Sequence, residues 1–380
     1  SNKKINKLKM KIFKHPVILE TACGHDGSEN VLKKLTDIAI TAGAKQIKYQ
    51  IFNLEERSLP NTKEHKIFKP LCLEKKVWNR IIQYARKNKL KVFADVYGDY
   101  SLNLAKQNNV DGYKIHSEDF FNSFFIEEVI NLKKPVLINL GGTYKSEVFE
   151  LINFLKKRKK LNKKIILMHG VQTFPTPPEG HSLYEFKKLI ENYKKFNVGF
   201  GYSDHIDGSN SLSLIFPTLA YLLGAELVEK HFTDDRKIRR TDYQSALDAK
   251  QIKKFLDDFN IINMNLKESN SALRFESMYR NMFKKSCALN KDKSQDEIIK
   301  ASDFKFIKSK KNKSYFFSHN LEGKRVKNFF PENKPISANH IKNKIGVIIT
   351  VRTSSERYPQ KALKKINNIE SIRLVIRRMK

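Results

Sequence analysis

The sequence predicts an α/β fold, a (β/α)8 TIM barrel followed by a small β-rich domain and a short α/β fragment. Three observations predict it. Short β-branched runs alternate with helical patterns, eight such units fit within about 260 residues, and most runs end in a polar side chain. No GxGxxG follows the first run, which disfavours the rival doubly wound nucleotide-binding sheet.

In order, the strand candidates are "PVILETA" (16–22), "QIKYQ" (46–50), "KVFADV" (91–96), "GYKIH" (112–116), "PVLINL" (135–140), "KIILMH" (164–169), "VGFGY" (198–202) and "ELVEKH" (226–231). Each is short and rich in β-branched or aromatic residues. Between them, "SENVLKKLTDIAITAG", "KVWNRIIQYARKNK" and "SEVFELINFLKKRKK" carry apolar residues at helical spacing. The barrel is assigned to residues 1–268. Residues 282–343 hold short strand-like pieces ("CALNK", "SYFFS") and acidic turns, enough for a small β-rich domain. Residues 344–380 open with a strand, "IGVIITV", then a Ser/Arg/Pro loop and a helix, "IESIRLVIRRMK".

Composition narrows the class. The formal charge is +33, from 73 Lys and Arg against 40 Asp and Glu. Such a surface attracts anions, but the lysines are spread along the chain and no zinc-finger or RNA-binding motif accompanies them, so no nucleic-acid function is expected. Cys23, Cys72 and Cys287 are few, odd in number and far apart, which fits a reducing compartment without a disulfide framework. The basic start lacks an apolar core, and the longest apolar run is interrupted by Pro217. A soluble cytoplasmic protein without a membrane segment is expected.

In such barrels chemistry gathers at the C-terminal ends of the strands. Read off the sequence, those ends carry Glu20, Lys48 with Gln50, Asp95, Lys114 with Ser117 and Asp119, Asn139, His169, Ser203 with His205, and Glu229 with His231. His205 and His231 would project from adjacent strands and could bind a divalent metal with open positions for catalysis. Asp204, Glu229 and Asp242 could orient the imidazoles. Buried Lys48 and Lys114 need anions to face, and with Ser117, Asn139 and Ser203 as neutral donors the mouth suits a small ligand carrying phosphate and carboxylate. Glu20, Gln50 and Asp242 remain for a polyhydroxylated partner.

The stretches "LETACGHDGS", "AGAKQIKYQIF", "KIHSEDFFNS", "KPVLINLGG", "MHGVQTFPTPPEGHSL", "VGFGYSDHIDG" and "GAELVEKHFTDDRKIRRTDYQS" resemble the sialic acid (N-acetylneuraminate) synthase family over residues 17–259. The resemblance implies a (β/α)8 barrel followed by an antifreeze-like (SAF) domain. It also implies condensation of phosphoenolpyruvate with an open-chain acylamino-hexose and release of phosphate. By matching positions, His205 and His231 resemble ligands of Mn²⁺ or Mg²⁺. Lys48, Lys114, Ser117, Asn139 and Ser203 fall at phosphoenolpyruvate-binding positions, and Gln50, Gln172, Phe174 and Lys308 at sugar-binding ones. Catalytic roles fall to Glu20, Asp119, Glu229 and Asp242. A homodimer is implied, with the small domain, through Lys308, over the partner barrel.

Several positions depart from the family pattern. Asp95 replaces a Thr, Asn139 a Ser, Gln172 an Asn, Phe174 a Tyr, and Gly24-His25 stands for Asn-His. An acidic Asp95 near phosphate would repel unless it pairs with a lysine. These departures are more similar to the branch of spore-coat polysaccharide synthesis than to the N-acetylneuraminate enzymes. "VIITVRTSSERYPQKAL" resembles the opening of sugar nucleotidyltransferases, so the chain is expected to be the front of a longer bifunctional protein, cut near Lys380 and without transferase activity of its own. Two alternatives stand beside this reading: a related phosphoenolpyruvate-condensing synthase with another aldose, and a non-catalytic polyanion- or glycan-binding protein.

Overall fold

The computed structural model describes residues 13–266, 270–309, 317–342, 365–366, 369–370 and 373. Eight parallel strands close into one barrel in sequence order: β1 (Val17–Glu20), β2 (Gln46–Gln50), β3 (Lys91–Val96), β4 (Gly112–Ile115), β5 (Val136–Asn139), β6 (Ile165–His169), β7 (Gly199–Asp204) and β8 (Leu227–His231). All eight fall on the runs named above. β1 pairs with both β2 and β8, which closes the ring.

Strand alternation sorts the side chains. Ile18, Phe93, Leu137, Ile166, Met168 and Leu227 pack together as an apolar layer inside the barrel, with Phe13 joining them. Two residues further along β1, β3 and β8 come Glu20, Asp95 and Glu229, all buried. The intervening residues, such as Val92, Ala94 and Val228, join the larger cluster formed with the helices. The helices Glu29–Thr41, Lys75–Lys87 and Lys145–Lys157 bury one stripe each, as their spacing predicts. Gly170 lets the chain leaving β6 pass β7: a Cβ there would stand 2.2 Å from the Ser203 carbonyl oxygen.

The same alternation corrects one expectation. Asp204 and Lys230 share parity with the helix-facing residues Tyr202 and Val228. Their fully buried side chains pair with each other. Asp204 is therefore committed to an ammonium and does not orient an imidazole.

The chain divides into two compact units, 1–267 and 268–380. Within the second, β9 (Ser286–Leu289) and β10 (Phe304–Ile307) pair antiparallel over a core of Cys287, Leu289, Ile299, Leu321, Val326, Phe330, Ile336 and Ile341. Lys293 and Asp303 form a buried ion pair at 2.7 Å in this unit. Of the expected "SYFFS" strand, residues 314–316 lie outside the described residues and Ser318 opens a 3₁₀ turn. The expected strand and loop of the nucleotidyltransferase-like segment also lie outside them. Among the described residues no helix is long and apolar enough to cross a membrane.

The Lys230–Asp204 pair gives a stability test. Lys230→Met leaves a buried carboxylate unpaired and is expected to lower unfolding stability by about 3–5 kcal/mol in urea titration. The double variant Lys230→Met/Asp204→Leu should recover most of the loss. A single variant as stable as the parent would contradict the pairing.

Candidate active site

Five buried charged side chains meet at the C-terminal end of the barrel. The Lys48 ammonium from β2 contacts the Glu20 carboxylate from β1, lies 2.7 Å from Asp95 Oδ2 on β3 and 3.6 Å from Glu229 Oε2 on β8. Lys114 from β4 donates to Glu229 Oε1 at 2.6 Å. The strand register explains the meeting, because Glu20 is aligned with Lys48, Asp95 with Lys114, and Ser203 with Glu229. Asp95, which would repel a phosphate if alone, thus has its lysine. Burial raises the Glu229 carboxyl, but Lys114 and Lys48 outweigh it and hold it well below the usual carboxylate range. Burial pulls Lys48 down to about 8, with Asp95 and Glu229 opposing. Burial also lowers Lys114, yet there Glu229 and Asp95 prevail and its pKa lies above the ordinary lysine value.

His205, just beyond β7, and His231, the end of β8, stand beside this cluster with ring centroids 4.8 Å apart. Burial pushes His205 down to about 3 and His231 well below its ordinary value, so both rings are neutral at pH 7. Each has a buried Nδ1 with no hydrogen-bond partner among the described residues. Among the described residues no carboxylate hydrogen-bonds either ring, contrary to expectation: Glu229 is held by the lysines, and Asp242 accepts the Cys23 N–H at 3.4 Å. Among the described residues no group of three or more His, Cys, Asp or Glu is arranged to hold a metal. What remains is an imidazole pair with unpaired nitrogens, which fits an ion whose other positions go to solvent or substrate.

A cavity of about 530 Å³ opens above the cluster. Its walls bring together Glu20, Gln50, Lys114, Ser117, Gln172, Phe174, His205, Glu229, His231 and Asp242 from the sequence-derived set. Lys48, Asp119, Asn139 and Ser203 do not line it. Lys48 is enclosed by carboxylates. Asn139 donates to Gln172 Oε1 at 2.9 Å and accepts from the Gly141 N–H, so it braces Gln172. Ser203 is wholly buried, and its hydroxyl has no hydrogen-bond partner among the described residues. Asp119 sits on the Ser117–Asp119 turn, where burial and then Glu118 raise its carboxyl to about 6. Lys308 belongs to the second unit, with its ammonium 5.6 Å from the Phe283 ring centroid. His169 faces a separate cavity of about 290 Å³ with Leu140, Lys145 and Tyr193.

Asp242 adopts a left-handed backbone, φ 65°, and burial raises its carboxyl above the usual range. Sequence reading missed Arg57, Phe68 and His116, which also line the cavity. Arg57 and Phe68 sit in the long connection after β2, whose short helices Leu54–Arg57 and Lys63–Phe68 carry no extended apolar period. His116 was legible as the residue after β4.

The imidazole pair supports a direct test. The parent protein should bind Mn²⁺ in calorimetric titration, and His231→Ala should lose that binding while keeping its circular dichroism spectrum. Parent-like Mn²⁺ affinity in a folded His231→Ala sample would contradict the assignment.

Comparison with known proteins places the chain in a family. Pseudaminic acid synthase of Campylobacter jejuni is 25% identical over 324 residues, covering 82% of this chain and 92% of that protein. The spore coat polysaccharide biosynthesis protein SpsE of Bacillus subtilis is 26% identical over 284 residues, 72% of this chain and 74% of its own. The crystal structure of N-acetylneuraminic acid (sialic acid) synthetase from Leptospira borgpetersenii, solved with citrate, superposes with a TM-score of 0.60 at 28% identity. That match covers 70% of this chain and 91% of the other. A sequence model of the NeuB family matches residues 35–271. The chain therefore belongs to the NeuB family, whose relatives are named as synthases of nonulosonic acids.

Proposed function

We infer that this enzyme condenses phosphoenolpyruvate with the aldehyde of an open-chain acylamino-hexose and releases phosphate. The observation that carries the reading is the juxtaposition of Lys114, the paired imidazoles and buried carboxylates around one cavity. In the overall reaction C3 of phosphoenolpyruvate bonds to the aldehyde carbon, water adds at C2, and the phosphate leaves, giving a 2-keto acid. The water added at C2 loses both of its protons as its oxygen becomes the keto oxygen: one is balanced by the proton gained at the aldehyde oxygen, the other by the proton carried off on the released phosphate.

The chain's residues have separable tasks in this reading. Lys114 and Ser117 hold the phosphoenolpyruvate anion by charge-assisted hydrogen bonds. Lys48 acts from below, fixing Glu20 and Glu229 in place. Gln172 and Gln50 hydrogen-bond the sugar hydroxyls, with Phe174 against the sugar face. Asp242, whose carboxyl burial raises above the usual range, holds a proton more readily than an ordinary aspartate and suits proton exchange with a hydroxyl or water. His205 and His231 would hold a divalent ion, which supplies Lewis-acid polarisation of the aldehyde when bound. Imidazole donors suit Mn²⁺ better than Mg²⁺, which prefers oxygen. The same reading includes a homodimer in which Lys308 of one copy completes the sugar site of the other.

Phosphate release on mixing the protein with phosphoenolpyruvate, Mn²⁺ and a panel of acetamido-hexoses tests this. Lys114→Met should raise the KM for phosphoenolpyruvate roughly 10- to 100-fold, the loss of one charge-assisted contact. Asp242→Asn should lower kcat and spare that KM. No phosphate release with any aldose, or equal effects of both variants on both parameters, would count against the reading.

A further inference from the structure

Arg57 has no role in the reaction as read above. It ends the helix Leu54–Arg57, its side chain is only 5% exposed, and it lines the cavity. Aromatic rings surround the guanidinium, with centroids 4.0 Å (Phe68), 4.3 Å (Tyr97) and 5.0 Å (Phe52) from its central carbon. Nη2 donates to Glu118 Oε1 at 2.9 Å. Nε and Nη1 are buried and have no hydrogen-bond partner among the described residues. Buried donors are ordinarily paired, because leaving one unpaired is destabilising.

A structural arginine in the same unit behaves differently. Arg236 commits Nη1 to the carbonyls of Tyr243, Gln244 and Ala246. Arg57 is instead held ready by its surroundings. Asn53 and Glu56 form a capping box around the helix, and Glu56 Oε1 also accepts the Ser101 N–H at 3.1 Å, tying the turn to the β3 end of the barrel. The position is fixed while two donor nitrogens stay uncommitted.

The matching ligand is an oxyanion. A guanidinium keeps its charge at all ordinary pH and pairs with phosphate through several N–H groups at once. The adjacent wall carries Ser117 and Lys114, and Glu118, the partner of Nη2, follows Ser117 in the turn. Lys48, the other lysine of the cluster, faces three carboxylates of the protein itself. We propose that Arg57 is a substrate-binding residue that takes the phosphate group of phosphoenolpyruvate, on the same wall as Lys114 and Ser117. The proposal rests on the phosphoenolpyruvate reading above and adds an anion-binding residue from the loop after β2.

The test is equilibrium binding of phosphoenolpyruvate and of inorganic phosphate, by calorimetry without sugar, together with steady-state KM values. Arg57→Ala should weaken both ligands roughly 10- to 100-fold and raise the KM for phosphoenolpyruvate while leaving that for the aldose unchanged. Arg57→Lys should fall between, since it keeps charge but not the planar donor set. Glu118→Gln, at an exposed position, removes a negative charge beside the phosphate and should tighten binding. A folded Arg57→Ala with parent-like affinity for both anions, or a loss confined to the aldose, would overturn the proposal. If Arg57→Ala does not fold, unchanged or weaker binding in Glu118→Gln overturns it instead. A parent protein that neither binds phosphoenolpyruvate nor releases phosphate from it would remove the underlying reading as well, an outcome distinct from failure of Arg57 alone.

Discussion

Two lysine ammoniums buried at the end of a barrel constrain everything around them. Each would be prohibitively unstable there without anions, and Glu20, Asp95 and Glu229 converge on Lys48 and Lys114 from three strands. This fixes the parity of β1, β2, β3, β4 and β8, because slipping any strand by one residue would send its charge to the helix-facing side. It also fixes the floor of the cavity. The apolar layer below it fills the barrel and leaves the charged layer as the first polar level.

The charge balance of that floor bears on function. Two ammoniums against three carboxylates leave an excess negative charge, and both imidazoles beside it are neutral at pH 7. A floor of that sign does not by itself welcome phosphoenolpyruvate. A divalent ion on the imidazole pair and the Arg57 guanidinium at the wall would each shift the balance toward the anion. The charged cluster is then a rigid support, and the groups that meet substrate are those around its rim. Phe52, Phe68 and Tyr97 would keep Arg57 rigid at little entropic loss on binding.

Much of this was legible in the sequence. Eight β-branched runs gave the eight strands, and reading their final polar residues found seven of the cavity's wall residues, from Glu20 on β1 to His231 on β8, while Gln172 and Phe174 came from the family resemblance. Partners were harder to read than positions. Nothing in "YSDH" states that Asp204 turns outward to Lys230; strand alternation combined with the β7–β8 register does. Asn139 matches a binding position by sequence, yet its amide is taken by Gln172 and Gly141. Arg57 was invisible because it sits in a loop of two short helices, where periodicity carries little information. Its significance lies in unpaired donors, a property of three-dimensional contacts.

The most direct test is a crystal of the full chain grown with Mn²⁺ and phosphoenolpyruvate, with anomalous data collected near the manganese edge. The account predicts an anomalous peak between the His205 and His231 rings, and the phosphoenolpyruvate anion within hydrogen-bond reach of Lys114 and Arg57. Manganese bound elsewhere, or the anion seated away from both cations while the cavity is open, would contradict it.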